Sequence, residues 1–217
     1  MRRRADSHRW NIHMEFCAMA DIVAIYGSPR RAGNTATLLK KAVSGSLDAG
    51  ATVKEFVLRD LKISPCLEIY GCKQQGKCAI QDDFQIVIEQ ILEAHGLIIA
   101  SPIFFYAVSA HTKAFMDRCQ SLWVKQHWID KTPPSSRNFP RRGIFISVGA
   151  TQGKKLFDGA ILSMRYFMDT LDMKLEKSLC YRGLDLEGDI LNHQNYLDEA
   201  YHAGRYFAET LLNNNHL

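Results

Sequence analysis

The chain has 217 residues, of which 47% are hydrophobic and 23% charged, the balance of an ordinary globular protein rather than a disordered or fibrous one. Its net charge is +4, and four arginines against two acidic residues place half of this excess in the first 18 residues. A nucleic-acid-binding protein is expected to carry a basic stripe through its folded part. This chain does not carry one, and that class is therefore excluded.

The chain contains no apolar run of the roughly 20 residues that a membrane-spanning helix needs. Its basic start is not followed by the apolar core and cleavage site of a secretory signal. The six cysteines do not form the pattern of a disulfide framework, so a cytoplasmic, reducing location is predicted. Residues 1–20 show no periodicity and are predicted to be a flexible extension, and 21–217 a single domain.

From residue 21 onward, strand-like runs alternate with helix-like patterns. The continuous apolar runs 22–25, 97–100 and 144–148 predict central parallel strands that are covered on both faces. The more mixed segments 53–58 and 175–180 predict edge strands. Apolar residues at spacings of three and four predict helices over 34–48, 83–94, 107–123, 157–171 and 197–211.

This alternation predicts a doubly wound α/β fold with a five-stranded parallel sheet and helices on both faces. The mixed strands belong at the edges, which gives the strand order 2-1-3-4-5, and ligands of such sheets bind at the carboxyl ends of the strands. Two long loops, 59–82 and 124–142, interrupt the alternation. Loops of this length are usually functional or disordered.

The loop over residues 27–35 joins the first strand to the first helix. Free backbone N–H groups at a helix start suit a phosphate, although a capped helix without a ligand is the alternative. Five residues rather than four separate its two glycines, and no lysine follows the second glycine. This spacing excludes a P-loop that binds nucleoside triphosphates. The candidate binding residues are Ser28, Arg30, Gly33, Asn34 and Thr35.

Two further loops follow the third and fourth strands. Three consecutive aromatic residues after a proline, in the loop 100–110, predict a platform for a flat aromatic ligand, with a subunit interface or core packing as the alternative. Small residues at 147–153 allow backbone N–H groups to approach a ligand edge. The candidates that these patterns offer are the rings of Phe104, Phe105 and Tyr106, which follow Pro102, and the small-residue loop that begins at Ser147.

These segments resemble the flavodoxin-like NAD(P)H-dependent FMN reductases, including their iron–sulfur flavoprotein branch. The resemblance spans about residues 21–213 and rests on Gly-Ser-Pro-Arg-Arg-Ala-Gly-Asn-Thr (27–35), Ser-Pro-Ile-Phe-Phe-Tyr (101–106) and Gly-Ala-Thr-Gln-Gly (149–153). It implies FMN with its phosphate on the 27–35 loop. Its ring and ribityl chain would then lie against Pro102, Ile103, Phe104, Phe105 and Tyr106, and the ring edge would face Gly149, Ala150 and Thr151. The resemblance also implies a homodimer or homotetramer, and it marks Asp117 and Arg118 as a pair that we interpret as structural.

The cysteine-containing loop departs from the iron–sulfur branch. Cys66, Cys72 and Cys78 keep the spacing of that branch, but Ile69 stands where its second cysteine belongs. A cubane cluster normally takes four thiolates, so we expect free thiols and no cluster, with a reversible disulfide or a zinc site as alternatives. The histidines show no metal spacing, and no metal ligands are predicted.

The sequence therefore predicts an FMN-dependent oxidoreductase that takes hydride from NAD(P)H and passes electrons to a small acceptor such as a quinone, a flavin, a nitro compound or an iron species. Because the cofactor carries the chemistry, no side chain is assigned as a catalytic acid or base. One alternative is a flavodoxin-type electron carrier that docks to proteins, although such carriers are usually acidic and this chain is basic. The other alternative is a thiol-based redox sensor.

Overall fold

The computed structural model describes residues 21–131 and 141–214, within which five parallel strands form one sheet in the order 2-1-3-4-5. This order confirms the predicted fold class and places the two mixed strands at the edges. Each predicted strand is found with ends within two residues of its predicted bounds. The strands are β1 (Ile22–Tyr26), β2 (Val53–Val57), β3 (Gly96–Ala100), β4 (Arg142–Gly149) and β5 (Lys174–Arg182).

Helices cover both faces of the sheet. Because successive strand residues point to opposite faces, Ile22 and Ala24 pack under the first and last helices, whereas Val23 and Ile25 pack under helices that lie between these two in the chain. The helices are α1 (Asn34–Asp48), α2 (Cys72–Gln75), α3 (Phe84–Glu93), α4 (Ala110–Arg118), α5 (Gln120–Val124), α6 (Asp158–Thr170) and α7 (Gln194–Asn214), with 3₁₀ turns at Leu58–Asp60 and Asp189–Asn192.

The region after β3 differs from its prediction. The expected helix over 107–123 is divided at Cys119 into α4 and α5, and a π-helix, Lys125–Asp130, then occupies the start of the expected 124–142 loop. Aromatic packing accompanies this continuation, because the ring of His127 stacks on that of Trp123 with 4.6 Å between centroids. Residues 132–140 of that loop, and the predicted extension over 1–20, lie outside the described residues.

The coil after β2 is largely as predicted. It carries only the 3₁₀ turn and the one-turn helix α2, and it crosses the face of the sheet that α3 and α4 cover. In the described ranges, no helix is both long and apolar enough to cross a bilayer.

Candidate functional site

Three loops leave the sheet side by side at the carboxyl ends of its strands. Tyr26 of β1 is in register with Ala100 of β3, which is in register with Ile146 of β4. The chain segments that follow β1 and β3 therefore start at the same level, and β4 continues three residues beyond it, to Gly149. The phosphate, aromatic and small-residue loops predicted from the sequence are thus neighbours in space.

Buried serine side chains join these loops. The Ser109 hydroxyl donates to the carbonyl of Gly27, and the Ser109 N–H donates to Oγ of Ser101 over 2.9 Å. The Ser147 hydroxyl donates to the carbonyl of Ser101 over 2.7 Å, and all three serines are buried. Ser147, predicted to face a ligand, instead connects two loops. Sequence reasoning missed Ser101 and Ser109, although Ser109 also caps α4 by accepting from the N–H of Thr112, a recognisable signal.

Gly27 lies where the first loop passes closest to its neighbours. Its N–H donates to the carbonyl of Ala100 over 2.7 Å. A Cβ at this position would lie 2.0 Å from Oγ1 of Thr112 and 2.8 Å from the carbonyl oxygen of Ala100. Only glycine therefore allows the first loop to turn against β3 and the start of α4.

The start of α1 presents donors that the chain itself leaves open. Gly33 precedes the helix with extended backbone and no side-chain cap, and its carbonyl accepts the N–H of Thr37. The N–H groups of Asn34, Thr35 and Ala36 consequently have no acceptor within the helix. Thr35 is 2% exposed, and no group in the described part of the chain hydrogen-bonds to its hydroxyl. This set of donors suits an anion, such as a phosphate ester.

Two of the predicted phosphate contacts are engaged elsewhere. Asn34 donates from Nδ2 to the carbonyl of Leu186 over 2.9 Å and accepts at Oδ1 from the N–H of Ile190. Arg30 donates from Nη1 to the carbonyl of Asp185, also over 2.9 Å. The side chain of Asn34 therefore fastens the loop to the segment after β5, and its backbone N–H is the group that faces the turn.

Ser28 is buried and completes this loop. Its Oγ accepts the N–H of Arg30 over 3.1 Å, which leaves the hydroxyl hydrogen available to a ligand. From the β2 side, Arg59 donates to the carbonyl of Pro29, and Arg31 pairs with Asp60 over 2.6 Å. The loop is thus held on two sides before any ligand binds.

The aromatic loop is a tight hairpin with an unusual composition. Phe104 and Ala107 exchange two backbone hydrogen bonds of 2.9 and 3.0 Å, and the residues between them have positive φ angles, 49° at Phe105 and 62° at Tyr106. Turns of this kind normally contain asparagine and glycine, because bulky side chains strain a left-handed backbone. Strain of this sort concentrates at functional sites, and here it holds the ring of Phe105 fully exposed.

The residues on either side of this turn connect it to the sheet. The N–H of Ile103 donates to the carbonyl of Val148 over 2.9 Å, which extends the pairing of β3 with β4 through Pro102. On the far side, a Cβ at Gly159 would lie 2.8 Å from the Tyr106 carbonyl oxygen. The turn is therefore packed against the start of α6.

The small-residue loop after β4 is held by the end of β5. The carbonyl of Gly149 accepts the N–H of Leu184 over 3.3 Å, and Arg182 donates to the carbonyls of Gly153 and Lys154. Ala150 and Thr151 are exposed at the tip of this loop. The structure thus brings the predicted residues of all three loops to the carboxyl ends of the strands, where a Cβ at Gly153 would lie 3.5 Å from the Tyr106 hydroxyl.

Arg118 organises the cysteine-containing coil. Its side chain is wholly buried and donates from Nε to Sγ of Cys78 over 3.1 Å, from Nη1 to Oδ2 of Asp82 over 2.7 Å and to the Ser64 carbonyl, and from Nη2 to the Ile80 carbonyl. All its donor groups therefore contact one stretch of coil. The predicted structural role is retained, but the partner is Asp82 rather than Asp117, which pairs with Lys113 on the surface.

The cysteines of this coil line a cavity of about 550 Å³, together with Ile69, Trp128 and other apolar residues. In the described ranges, no three histidine, cysteine or acidic side chains are grouped as metal ligands. Ile69 offers no ligand atom, so the residues present do not fit a cluster that is held by four thiolates.

Comparison with known proteins identifies the family. The model of NADPH-dependent FMN reductases matches residues 20–161. The chain belongs to this family. The matched residues include the loop 27–35, the aromatic hairpin and the small-residue loop.

Named relatives and a solved structure agree with this membership. The chain is 38% identical over 103 residues to an iron–sulfur flavoprotein of Methanocaldococcus jannaschii. The aligned segment covers 48% of this chain and 53% of the relative. The chain is 39% identical over 97 residues to a Bacillus subtilis protein named as an NAD(P)H-dependent FMN-containing oxidoreductase, covering 45% and 50%. The chain thus spans about half the length of the curated relatives that it matches.

Among solved structures, the Trp repressor binding protein of Bacillus subtilis is similar, with a TM-score of 0.57 and 25% identity over 83% of this chain and 95% of that one.

Proposed function

We propose that this protein is an FMN-dependent oxidoreductase that takes electrons from NAD(P)H and delivers them to a small acceptor such as a quinone, a flavin, a nitro compound or an iron species. The observation that carries the proposal is the hydroxyl of Thr35, a residue only 2% exposed, which has no partner in the described chain and lies beside the open N–H groups at the start of α1. Membership of the NADPH-dependent FMN reductase family supports it.

The phosphate of FMN would bind to the open backbone N–H groups that follow Gly33, at Asn34, Thr35 and Ala36, and to the hydroxyls of Ser28 and Thr35. Arg30 would add charge from the rim, where its Nη1 already holds the Asp185 carbonyl. Asn34 and Gly27 act as positioning residues, because one fastens the loop and the other allows its turn.

The aromatic hairpin and the small-residue loop would hold the ring system. Phe104, Phe105 and Tyr106 offer exposed ring surface, and Pro102 and Ile103 lie at the base of the hairpin. The backbone at 149–151 would face the polar edge of the flavin. When bound, FMN would supply the hydride and electron transfer chemistry, and the side chains named above would bind it, orient it and exclude water.

The proposal is tested by mixing the FMN-loaded protein with NADPH or NADH in the absence of air. Loss of the flavin absorbance in seconds to minutes, together with ping-pong kinetics toward an added quinone, is the expected result. A protein that binds FMN but is not bleached by either nucleotide would instead be a carrier. A colourless protein that fails to bind added FMN would contradict the cofactor assignment itself.

We also propose that residues 21–217 act as one FMN-binding domain, in the cytoplasm, as a homodimer or homotetramer. Met116, Trp123 and Tyr166 line one open groove of about 670 Å³, and contiguous apolar surface of this kind supports self-association. Light scattering of the purified holoprotein tests this proposal, and a strictly monomeric mass would contradict it.

A further inference from the structure

We propose that the cysteine-containing coil is a site of reversible oxidation by peroxide, in which Cys78 is the attacking thiol and Cys72 completes a disulfide. This inference goes beyond the proposed flavin chemistry and does not depend on it. It begins from the misfit between this coil and a four-thiolate cluster, because that misfit leaves three thiols on one cavity without an assigned ligand.

The surroundings of the Cys78 sulfur favour this role. The Arg118 guanidinium donates to it from Nε over 3.1 Å and is held in place by Asp82 and by the carbonyls of Ser64 and Ile80. Reactive cysteines lie beside such cations in partly exposed places. Cys78 is half-buried and lines the cavity, so a molecule as small as hydrogen peroxide can reach it.

Cys72 is brought close by the packing of the coil on itself. A Cβ at Gly71 would lie 2.9 Å from the Cβ of Ala79, so the backbone beside Cys72 contacts the residue beside Cys78. A disulfide needs its two Cα atoms within about 6.8 Å. Cys72 begins α2, which has four residues, ends at Gln75 and packs on α5 and the π-helix, so a small shift of this turn leaves the sheet in place.

The two remaining described cysteines differ in their surroundings and serve as internal references. Burial raises the pKa of the Cys119 thiol well above its ordinary value. Burial also raises the pKa of the Cys180 thiol to about 11, and Cys180 does not line the cavity. Both thiols are therefore expected to react slowly at neutral pH.

The oxidation balances with peroxide as the only oxidant. The Cys78 sulfur attacks one peroxide oxygen, an S–O bond forms as the O–O bond breaks, and the departing hydroxide takes the thiol proton to become water. The sulfur of Cys72 then attacks the sulfenic sulfur, which forms the S–S bond and releases a second water. Two thiols lose two electrons, and one peroxide is reduced to two waters.

The experiment treats the FMN-loaded protein with one equivalent of hydrogen peroxide, blocks the remaining thiols and maps the tryptic peptides by mass spectrometry. Cleavage after Lys62, Lys73 and Lys77 places Cys72 in the peptide 63–73 and Cys78 in a separate peptide. The expected product is a disulfide between these two peptides. Because Cys66 shares the first peptide, the Cys66→Ser variant must give the same link.

Single substitutions separate the two roles. Cys72→Ser should leave Cys78 as a sulfenic acid that a dimedone probe captures, whereas Cys78→Ser should abolish peroxide-dependent thiol loss. Cys180→Ser is the matched control and should behave as the unmodified chain. Cys78 should react at least about tenfold faster than Cys180.

Three results would overturn the proposal. They are unchanged thiols after peroxide treatment, a link that persists in Cys78→Ser or is lost in Cys66→Ser, and iron with inorganic sulfide bound to these cysteines in the purified protein. The bleaching of the flavin by NAD(P)H is measured separately, so failure of the thiol chemistry and failure of the proposed function give different readings.

Discussion

The carboxylate of Asp82 and the guanidinium of Arg118 form an ion pair with 2.7 Å between Oδ2 and Nη1, and the arginine side chain has no exposed surface. The pair joins the start of α3 to the end of α4. It also holds the coil after β2 in place, because the same guanidinium donates to the carbonyls of Ser64 and Ile80. The position of the cysteines therefore depends on one buried charge.

Asp82→Asn should reduce the free energy of unfolding by about 3 kcal/mol, because it leaves the buried Arg118 charge without its anion. The measurement is urea denaturation followed by circular dichroism. Asp117→Asn is the matched control, since it breaks an exposed pair with Lys113 and should cost about 0.5 kcal/mol at most. Equal losses in the two variants would contradict the assignment of Asp82 as the stabilising partner.

Acid should weaken the same interaction. Burial acts to raise the pKa of the Asp82 carboxyl, but hydrogen bonds from Arg118 and from the N–H groups of Ser64 and Phe84 outweigh it, so the pKa lies below its usual value. The unfolded chain, with a carboxyl pKa of about 3.9, then binds a proton more readily than the folded chain. The stabilisation is therefore present above about pH 4 and is lost as pH falls toward the lower folded pKa.

The pH dependence of unfolding tests this expectation. Below about pH 4, the stability of the unmodified chain should fall more steeply than that of Asp82→Asn, which has no carboxyl to protonate at this position. Parallel curves for the two proteins would show that another group dominates the acid response.

Thr35→Ala should weaken FMN binding about tenfold, because a hydrogen bond to a charged phosphate is worth roughly 1.5 kcal/mol or more. Quenching of flavin fluorescence during titration gives the dissociation constant. Thr170→Ala removes a hydroxyl that only donates to the Tyr166 carbonyl within α6, so its affinity should be unchanged. An unaltered affinity in Thr35→Ala would remove the observation that carries the proposed function.

Phe105→Asn should separate strain from binding. Asparagine tolerates the φ of 49° at this position better than phenylalanine, so the free energy of unfolding should stay the same or rise by about 1 kcal/mol. FMN affinity should fall, because the exposed ring is lost. Tyr206→Asn removes an exposed ring from α7 and should leave FMN affinity unaffected. A clear loss of stability in Phe105→Asn would contradict the interpretation of the turn as strained.

The strands and most helices were predictable because their signals are local. The continuous apolar run at β1 and the mixed run at β2 report whether both faces or one face of a strand is covered, and that decides which strand lies at an edge. The bounds of α1 were predicted to the residue, because the glycine-containing loop ends where the apolar spacing of the helix begins.

The region after α4 was not predictable in the same way. The π-helix at Lys125–Asp130 is accompanied by contacts among Trp123, His127 and Trp128, and no spacing rule anticipates a π-turn. Asn34 and Ser147 were predicted as ligand contacts from their places in loops that follow strands, and for Asn34 also from the family resemblance. Their partners, Leu186 for Asn34 and Ser101 for Ser147, lie 152 and 46 residues away in the chain.

The sequence by itself determined the strand order, the three loops that meet at one edge and the missing ligand at Ile69, because hydrophobic periodicity and residue type are properties of neighbouring residues. Only the tertiary structure decided which polar groups remain open to a ligand and which are used within the chain. The side chain of Asn34 is occupied and the hydroxyl of Thr35 is open for this reason alone, since hydrogen-bond partners are chosen after distant segments have packed together.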